Sequence, residues 1–175
     1  MNTLVLRNVL WTGLFPGTVA GFLPYVILSY WDEFPPARLD AAQLAGLVAL
    51  ALGVGTLLKC IWDFAMVGRG TLAPMDPPRV LVVRGLYRYV RNPMYVGVLT
   101  ALLGEVLFFE SWALFQYAMV WLLIVHLFVV LYEEPKLRRH FGASYEEYCR
   151  AVRRWLPGRA YDAALRPATR PRTNP

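Results

Sequence analysis

Four long apolar runs alternate with polar segments along the chain. They cover residues 9–31, 41–67, 94–109 and 112–131. A helix needs roughly 20 apolar residues to cross about 30 Å of hydrocarbon, so the pattern predicts an all-α polytopic membrane protein with about four transmembrane helices. Only Glu110 and Ser111 separate the last two runs, which predicts a tight helical hairpin.

The first two runs carry residues that bear on helix geometry. The first run is too long for the core of a typical signal peptide, and no clear small-residue cleavage site follows it. We therefore interpret it as a spanning helix that Pro16 and Pro24 kink. In the second run, three glycines predict close packing against a neighbouring helix: Gly46, Gly53 and Gly55.

Composition strengthens the membrane interpretation. The chain is 57% hydrophobic, yet it carries 18 Lys and Arg and a formal charge of +6. Because the basic residues cluster just outside the apolar runs, they favour a membrane surface over nucleic acid as the partner. Cys60 and Cys149 are far apart and lack metal-ligand spacing, so we expect reduced thiols and no metal.

The loop charges predict an orientation. The first loop is net acidic, whereas the second loop and the segment after residue 131 are rich in Arg and Lys. The positive-inside rule then places both termini in the cytoplasm, at the inner membrane if the source is bacterial. We assign residues 1–158 to a single membrane domain and expect residues 159–175 to form a disordered basic tail.

Ionisable residues inside the apolar runs are functional candidates. Lys59 and Asp63, four residues apart, are expected to pair with each other. Glu105 is expected at the outer interface. His126 lies inside the fourth run, where a hydrogen-bonded packing residue and a functional group are both open alternatives.

The stretch RVLVVRGLYRYVRNPMYVG, residues 79–97, is the most informative one. Its order is a short apolar, strand-like piece, a glycine, and a basic segment interleaved with tyrosines. Pro93 suits the first turn of a helix, and Asn92 suits the N-cap before it. Helix capping and headgroup binding explain these residues and the arginines, but they leave Tyr87, Tyr89 and Tyr95 unexplained.

The second informative stretch follows the fourth run. Glu133 and Glu134 are adjacent at the expected end of a helix, where the helix dipole disfavours negative charge. We expect a compensating partner, which is either an arginine of the second loop, Arg88 or Arg91, or a cationic ligand. The segment FGASYEEY, with its Phe-Gly-x-x-Tyr-x-x-Tyr spacing, continues this stretch.

Together these motifs resemble a known family. The run RNPMYVG, the glutamate pair and the Phe-Gly-x-x-Tyr-x-x-Tyr segment look like the isoprenylcysteine carboxyl methyltransferases and the related phospholipid methyltransferases. The resemblance covers roughly residues 76–157. It implies S-adenosyl-L-methionine as methyl donor, held by a cytoplasmic loop and C-terminal helix, and a lipophilic methyl acceptor taken from the bilayer.

Residue roles follow from the resemblance by position. The implied cofactor-binding residues are Arg79, Val80, Leu81, Val82, Tyr87, Asn92, Pro93, Met94, Tyr95 and Glu133. We assign catalytic roles to Arg91, His126 and Glu133. Two departures stand out: the family's usual histidine is Asn92 here, and the substrate-side arginine of the isoprenylcysteine enzymes is Val129. The second departure argues against an isoprenylcysteine carboxylate as the acceptor.

We expect the protein mainly to position the reactants. The donor's sulfonium is already electrophilic, so it must chiefly be aligned with a nucleophile. Two other functions remain open from the sequence. A membrane sterol or lipid reductase with a nicotinamide cofactor has a similar Arg-x-Pro-x-Tyr segment, and a non-enzymatic membrane assembly protein would use the arginines only for headgroups. Cofactor titration separates the three, since the assembly protein binds no cofactor.

Overall fold

The computed structural model describes residues 15–36, 38–67, 81 and 83–161. These residues form six α-helices and no β-strand: α1 (Leu23–Trp31), α2 (Ala41–Val67), α3 (Pro93–Phe109), α4 (Trp112–Phe128), α5 (Glu134–Phe141) and α6 (Ala143–Ala151). π-Helical turns at Thr18–Phe22 and Val129–Glu133 precede α1 and α5, and a 3₁₀ turn at Gly85–Arg88 lies before α3. The all-helical prediction is confirmed.

Among the described residues, two helical stretches are long and apolar enough to cross a membrane. They are Ala41–Asp63 and Trp112–Phe141, and Pro93–Phe109 is a shorter apolar helix. The predicted bounds of the second and third helices hold closely. The fourth helix continues to Phe141, about ten residues past its predicted end, because the π turn carries α4 directly into α5.

Each π-helical turn precedes a proline. Proline lacks an N–H and crowds the carbonyl four residues earlier, so the helix must widen there or break. Pro24 lies four residues after Ala20, which has a non-helical φ of −109° and ψ of 25°. The predicted kink in the first helix is thus confirmed at Ala20. Pro135 follows the second π turn in the same way.

Glycines let α2 and α3 pack backbone to backbone. A Cβ on Gly53 would lie 2.4 Å from the backbone nitrogen of Ala101, and one on Gly46 would lie 2.7 Å from the carbonyl oxygen of Gly104. The helices are therefore antiparallel and in close contact along two turns. The prediction is confirmed for these two glycines and is wrong for Gly55, whose Cβ position is open space.

A tight connection joins α3 to α4, as predicted. Glu110 adopts a left-handed φ of 52°, and the Ser111 hydroxyl accepts a hydrogen bond from the backbone nitrogen of Leu114 at 3.0 Å, which caps α4. Ser111 also donates to Glu33 of the first loop. The core that this hairpin encloses consists of Val98, Leu102 and Ala118, packed against side chains of the first helix and α2.

The chain after α6 folds back onto the segment before α3. Val90 and Arg153 form an isolated parallel bridge, with the Arg91 backbone nitrogen 2.9 Å from the Arg153 carbonyl oxygen. Tyr161 donates its backbone N–H to the Arg88 carbonyl at 2.9 Å. Tyr161, within the predicted tail, thus contacts the segment before α3, and residues 162–175 lie outside the described residues.

Candidate functional site

Charged and aromatic side chains converge where α3 begins and the π turn after α4 ends. Glu134 is 3% exposed and is surrounded by guanidinium groups. Arg154 Nε and Nη2 lie 2.6 and 3.0 Å from its two carboxylate oxygens, Arg91 Nη1 lies 3.2 Å away, and Arg138 Nη2 lies 3.7 Å away. Its charge is fully compensated within the protein, which a buried carboxylate requires.

Glu133 is in a different environment from its neighbour. Its Oε2 accepts a hydrogen bond of 3.3 Å from the Tyr95 hydroxyl, and it has no guanidinium partner among the described residues. The expected arginine partner is therefore found for Glu134, through Arg91, and not for Glu133. The two carboxylates therefore have different partners: Glu134 is bound by three arginines, whereas Glu133 accepts a hydrogen bond from Tyr95.

The prediction that a helix ends at Glu133 and Glu134 is wrong. The helix does not end at the glutamates, because the π turn Val129–Glu133 leads into α5 and Glu134 stands in the first turn of that helix. Within this continuous helix Glu134 lies at neither terminus, so the helix dipole does not disfavour its charge. π-Helical turns are frequent at functional sites because they redirect side chains within a continuous helix.

The 3₁₀ turn before α3 carries Tyr87 next to this polar end. Its backbone carbonyl accepts a hydrogen bond of 2.7 Å from the Tyr148 hydroxyl of α6. Burial raises the pKa of Tyr87 well above its ordinary range, and the nearby Cys60, Glu133, Tyr148 and Tyr95 groups raise it further. Burial also raises the pKa of Tyr148. Both phenols therefore remain neutral hydrogen-bonding groups at physiological pH.

The start of α3 follows the sequence prediction with one difference. Pro93 is buried in the first helical turn, and the Asn92 carbonyl accepts from the Val96 nitrogen at 3.1 Å. Asn92 occupies the N-cap position, but its side chain makes no capping bond. Its Nδ2 instead donates to the Arg154 carbonyl at 3.2 Å, since the returning C-terminal segment lies within reach. Met94 is half-buried.

His126 lines one side of an apolar cavity of about 560 Å³ between α3 and α4. Its Nδ1 accepts a hydrogen bond of 3.1 Å from Trp155 Nε1, and the two rings are 5.9 Å apart at their centroids. Tyr95 and Trp155 line the same cavity, and most of the remaining lining is aliphatic. Tyr95 is thus shared between this cavity and Glu133. The volume is within the range of small-molecule sites.

The other predicted residues are dispersed. Arg79, Val80 and Val82 lie outside the described residues, and Leu81 packs on a cluster formed by Tyr145, Tyr148 and Val152. Arg91 is held by Glu134 and by a 2.7 Å hydrogen bond from its Nη1 to Cys149 Sγ. Its catalytic role stays a prediction.

Three intramembrane groups were also singled out by the sequence. The predicted Lys59–Asp63 pair is present at 2.6 Å. Glu105, expected at the outer interface, lies near the end of α3 and is 8% exposed. Its Oε2 has no hydrogen-bond partner among the described residues. Among the described residues, no group of three His, Cys, Asp or Glu side chains lies close enough together to hold a metal ion.

Sequence reasoning missed the residues that the C-terminal segment brings to the site. Arg154 forms the closest ion pair with Glu134, and Trp155 bonds to His126. Both follow α6 in a stretch whose only sequence signal is an Arg-Arg-Trp run beyond the tyrosine motif. In the sequence, this run is typical of a tail that binds lipid headgroups. Only the structure shows that the chain folds back toward the start of α3.

A family sequence model for phospholipid methyltransferases matches residues 41–144. The match covers more than half of the chain, and it begins in α2 rather than at residue 76. The chain therefore belongs to the phospholipid methyltransferase family and is a membrane methyltransferase. No individual curated protein and no solved structure gives a match.

Proposed function

We propose that the protein is a four-span membrane enzyme that transfers a methyl group from S-adenosylmethionine to a lipid or another acceptor that partitions into the bilayer. The single observation that carries this proposal is the position of Tyr95. Its hydroxyl contacts Glu133, and its ring borders the apolar cavity between α3 and α4. One side chain thus joins a polar, donor-facing group to a lipid-sized apolar space.

The residues at the polar end fit the proposed donor chemically. S-Adenosylmethionine presents ribose hydroxyls and an ammonium group, both hydrogen-bond donors, and supplies the methyl group on a sulfonium centre. Glu133 is an acceptor without a guanidinium partner, so it can receive one of these donors. The neutral hydroxyl of Tyr95 fixes the other side of that carboxylate. Tyr87 supplies a further buried phenol beside it.

The remaining machinery holds this arrangement in place. Glu134 and its arginines join the end of α4 to the start of α3 and to the C-terminal segment. Tyr148 secures the carbonyl of Tyr87. Positioning of this kind is what transfer from an activated methyl donor chiefly needs, since holding the reacting atoms in line lowers the entropic barrier.

The four-span arrangement rests on helix number and charge. α2 and the continuous helix Trp112–Phe141 are long and apolar enough to span by themselves. α3 packs antiparallel to α2 and is joined to α4 by a two-residue connection, so it lies in the middle of the set. An α3 of 17 residues is about 25 Å long, so its polar first turn lies at the level of the headgroups. We place that end, with its arginines, in the cytoplasm.

The decisive experiment uses the purified chain in lipid nanodiscs with a native lipid extract and isotopically labelled S-adenosylmethionine. Mass spectrometry of the extract should reveal a lipid that gains the labelled methyl group. The matched control is Tyr89→Phe, because Tyr89 is an exposed tyrosine outside the cavity. Labelling should persist in that variant and fall in Glu133→Gln. If wild-type protein labels no lipid and binds no donor in calorimetry, the proposal is wrong.

A further inference from the structure

The buried carboxyl group of Asp63, near the end of α2, lies against Gly85, the first residue of the 3₁₀ turn before α3. A Cβ on Gly85 would overlap Asp63 Oδ2 and would lie 2.9 Å from its Cγ. The φ of Gly85 is 57°, in the left-handed region. Both the space and the backbone conformation therefore favour glycine here. The Asp63 carboxyl group occupies the place that a side chain at residue 85 would take.

Interactions within α2 do not explain a carboxylate at this position. Asp63 lies about one turn before the end of the helix at Val67, where the helix dipole disfavours negative charge. Lys59 Nζ lies 2.6 Å from Asp63 Oδ1, but a lysine four residues before the acid is the less favourable order for such a pair. Oδ2 has no hydrogen-bond partner among the described residues. The contact with the 3₁₀ turn therefore distinguishes this carboxyl group from an ordinary helical ion pair.

The turn that Asp63 contacts carries Tyr87. The Tyr87 nitrogen donates to the Arg84 carbonyl at 3.1 Å, and the Tyr87 carbonyl accepts from the Tyr148 hydroxyl. A single 3₁₀ turn has too few hydrogen bonds to be stable by itself, so its position depends on tertiary contacts. Asp63 supplies such a contact at the first residue of the turn, and Tyr148 supplies one at the third.

We propose that Asp63 is a positioning residue of the methyl-donor site. Lys59 fixes the Asp63 carboxyl group against Gly85. This contact holds the turn, so that the Tyr87 phenol stays near Glu133. The inference rests on the proposed function, and it adds to the site a residue of α2, a helix that none of the sequence motifs includes.

Substitutions of Asp63 test its effect on the donor. Asp63→Ala should weaken S-adenosylmethionine binding about tenfold in calorimetry, because the donor must then order the turn itself. The KM for the donor should rise, while kcat at saturating donor stays near that of wild type. Lys59 is half-exposed, so water solvates it in this variant and the unfolding temperature should change little. Asp63→Asn keeps the shape and the acceptor for Lys59, so its donor affinity should stay within about threefold of wild type.

A double-mutant cycle with Gly85 tests the contact itself. Gly85→Ala pushes the Asp63 carboxyl group away from the turn and also strains the backbone, and the strain by itself is worth about five- to thirtyfold in affinity. In the Asp63→Ala background the contact is already lost and only the strain remains, so Gly85→Ala should weaken donor binding less than it does in wild type. Gly55→Ala, in open space, is the matched control and should bind the donor as wild type does. Additive effects of the two substitutions would overturn the inference.

The position of the turn can also be measured without the donor. Cys60 is buried one helical turn before Asp63, and it contributes to the raised pKa of Tyr87. Labelling with N-ethylmaleimide, located by peptide mass spectrometry, separates Cys60 from Cys149, the second cysteine of the chain. Cys60 should be labelled several-fold faster in Asp63→Ala and Gly85→Ala than in wild type, whereas Asp63→Asn should keep it protected.

The outcomes separate this inference from the proposed function. Unchanged Cys60 labelling in Asp63→Ala, or a donor affinity that falls only together with the unfolding temperature, gives Asp63 a purely structural role and overturns the inference even if methyl transfer is found. Cys60 labelling that follows Asp63, in a protein that binds no donor, supports Asp63 as the residue that positions Tyr87 and rejects the methyltransferase proposal.

Discussion

The Tyr95 hydroxyl and the Glu133 carboxylate meet at 3.3 Å across the gap between the start of α3 and the π turn that follows α4. The contact joins two residues 38 positions apart in the chain. Glu134 takes the nearby guanidinium groups, and Glu133 has no guanidinium partner among the described residues. We propose that Glu133 binds the methyl donor. The first prediction tests whether Glu133 binds the methyl donor.

Glu133→Gln should weaken S-adenosylmethionine binding at least tenfold in calorimetry, since a hydrogen bond to a charged acceptor is worth about 1.5–3 kcal/mol. Tyr95→Phe should weaken binding less, because it leaves the carboxylate in place. Thermal unfolding in detergent provides the control for folding. Wild-type affinity in Glu133→Gln would restrict the residue to an architectural role.

The ion-pair cluster around Glu134 should dominate the stability of the polar end. Removing one partner of a buried ion pair typically costs about 3–5 kcal/mol, because the remaining charges lose their compensation. We therefore expect Glu134→Ala to lower the unfolding temperature markedly. The matched control is Glu146→Ala, which removes the exposed pair with Arg138 and should change it little. Equal effects of the two substitutions would contradict the cluster.

The α2–α3 contact depends on two of three glycines. Gly53→Leu should disrupt folding, because even its Cβ would lie 2.4 Å from a backbone nitrogen of α3 and cannot be relieved by side-chain movement. Gly55→Leu is the control, since the space at that position is open. Yield and monodispersity after size-exclusion chromatography in detergent report the difference. Similar behaviour of the two variants would exclude the close backbone contact.

The proposed topology places both termini in the cytoplasm. A reporter that is active only outside the cytoplasm should be silent when fused after Gly158 and active when inserted between Pro35 and Pro36. The physical reason is the excess of Arg in the second loop and the C-terminal segment over the acidic first loop. An active reporter after Gly158, or a silent one in the first loop, would reject the four-span arrangement.

A farnesylated cysteine carboxylate should be a poor methyl acceptor. A carboxylate that enters an apolar cleft loses water, which costs several kcal/mol unless a cation receives it. Val129 is 1% exposed and offers no charge, and His126 Nδ1 is occupied by Trp155. Arg91 of the second loop is paired with Glu134.

The assay compares methyl transfer to N-acetyl-farnesylcysteine with transfer to a panel of amine and phenol lipids. We expect turnover of the farnesylcysteine to be the lowest in the set. Val129→Arg is the informative variant, because it restores a cation at that turn. Robust turnover by the wild-type protein would show that another cation reaches the cleft.

Several features of this protein depend on interactions between residues close in the chain, and the sequence alone predicts them. Hydrophobic run lengths gave the bounds of α2 and α3, because a helix buried in lipid must be apolar throughout. Pro24 fixed the kink at Ala20, since a missing N–H and a steric clash act within one turn. The helix start at Pro93 and the tight connection at Glu110–Ser111 could be predicted for the same reason, because their effects extend over only a few residues.

Tertiary structure decided which of two adjacent glutamates the arginines bind. Local sequence rules do not distinguish Glu133 from Glu134, and only the family resemblance singled out Glu133. Their environments differ because the π turn directs one toward Tyr95 and the other toward Arg91 and Arg154. Arg154 comes from a segment that returns past the start of α3. Such contacts depend on the path of the whole chain, and no local propensity encodes them.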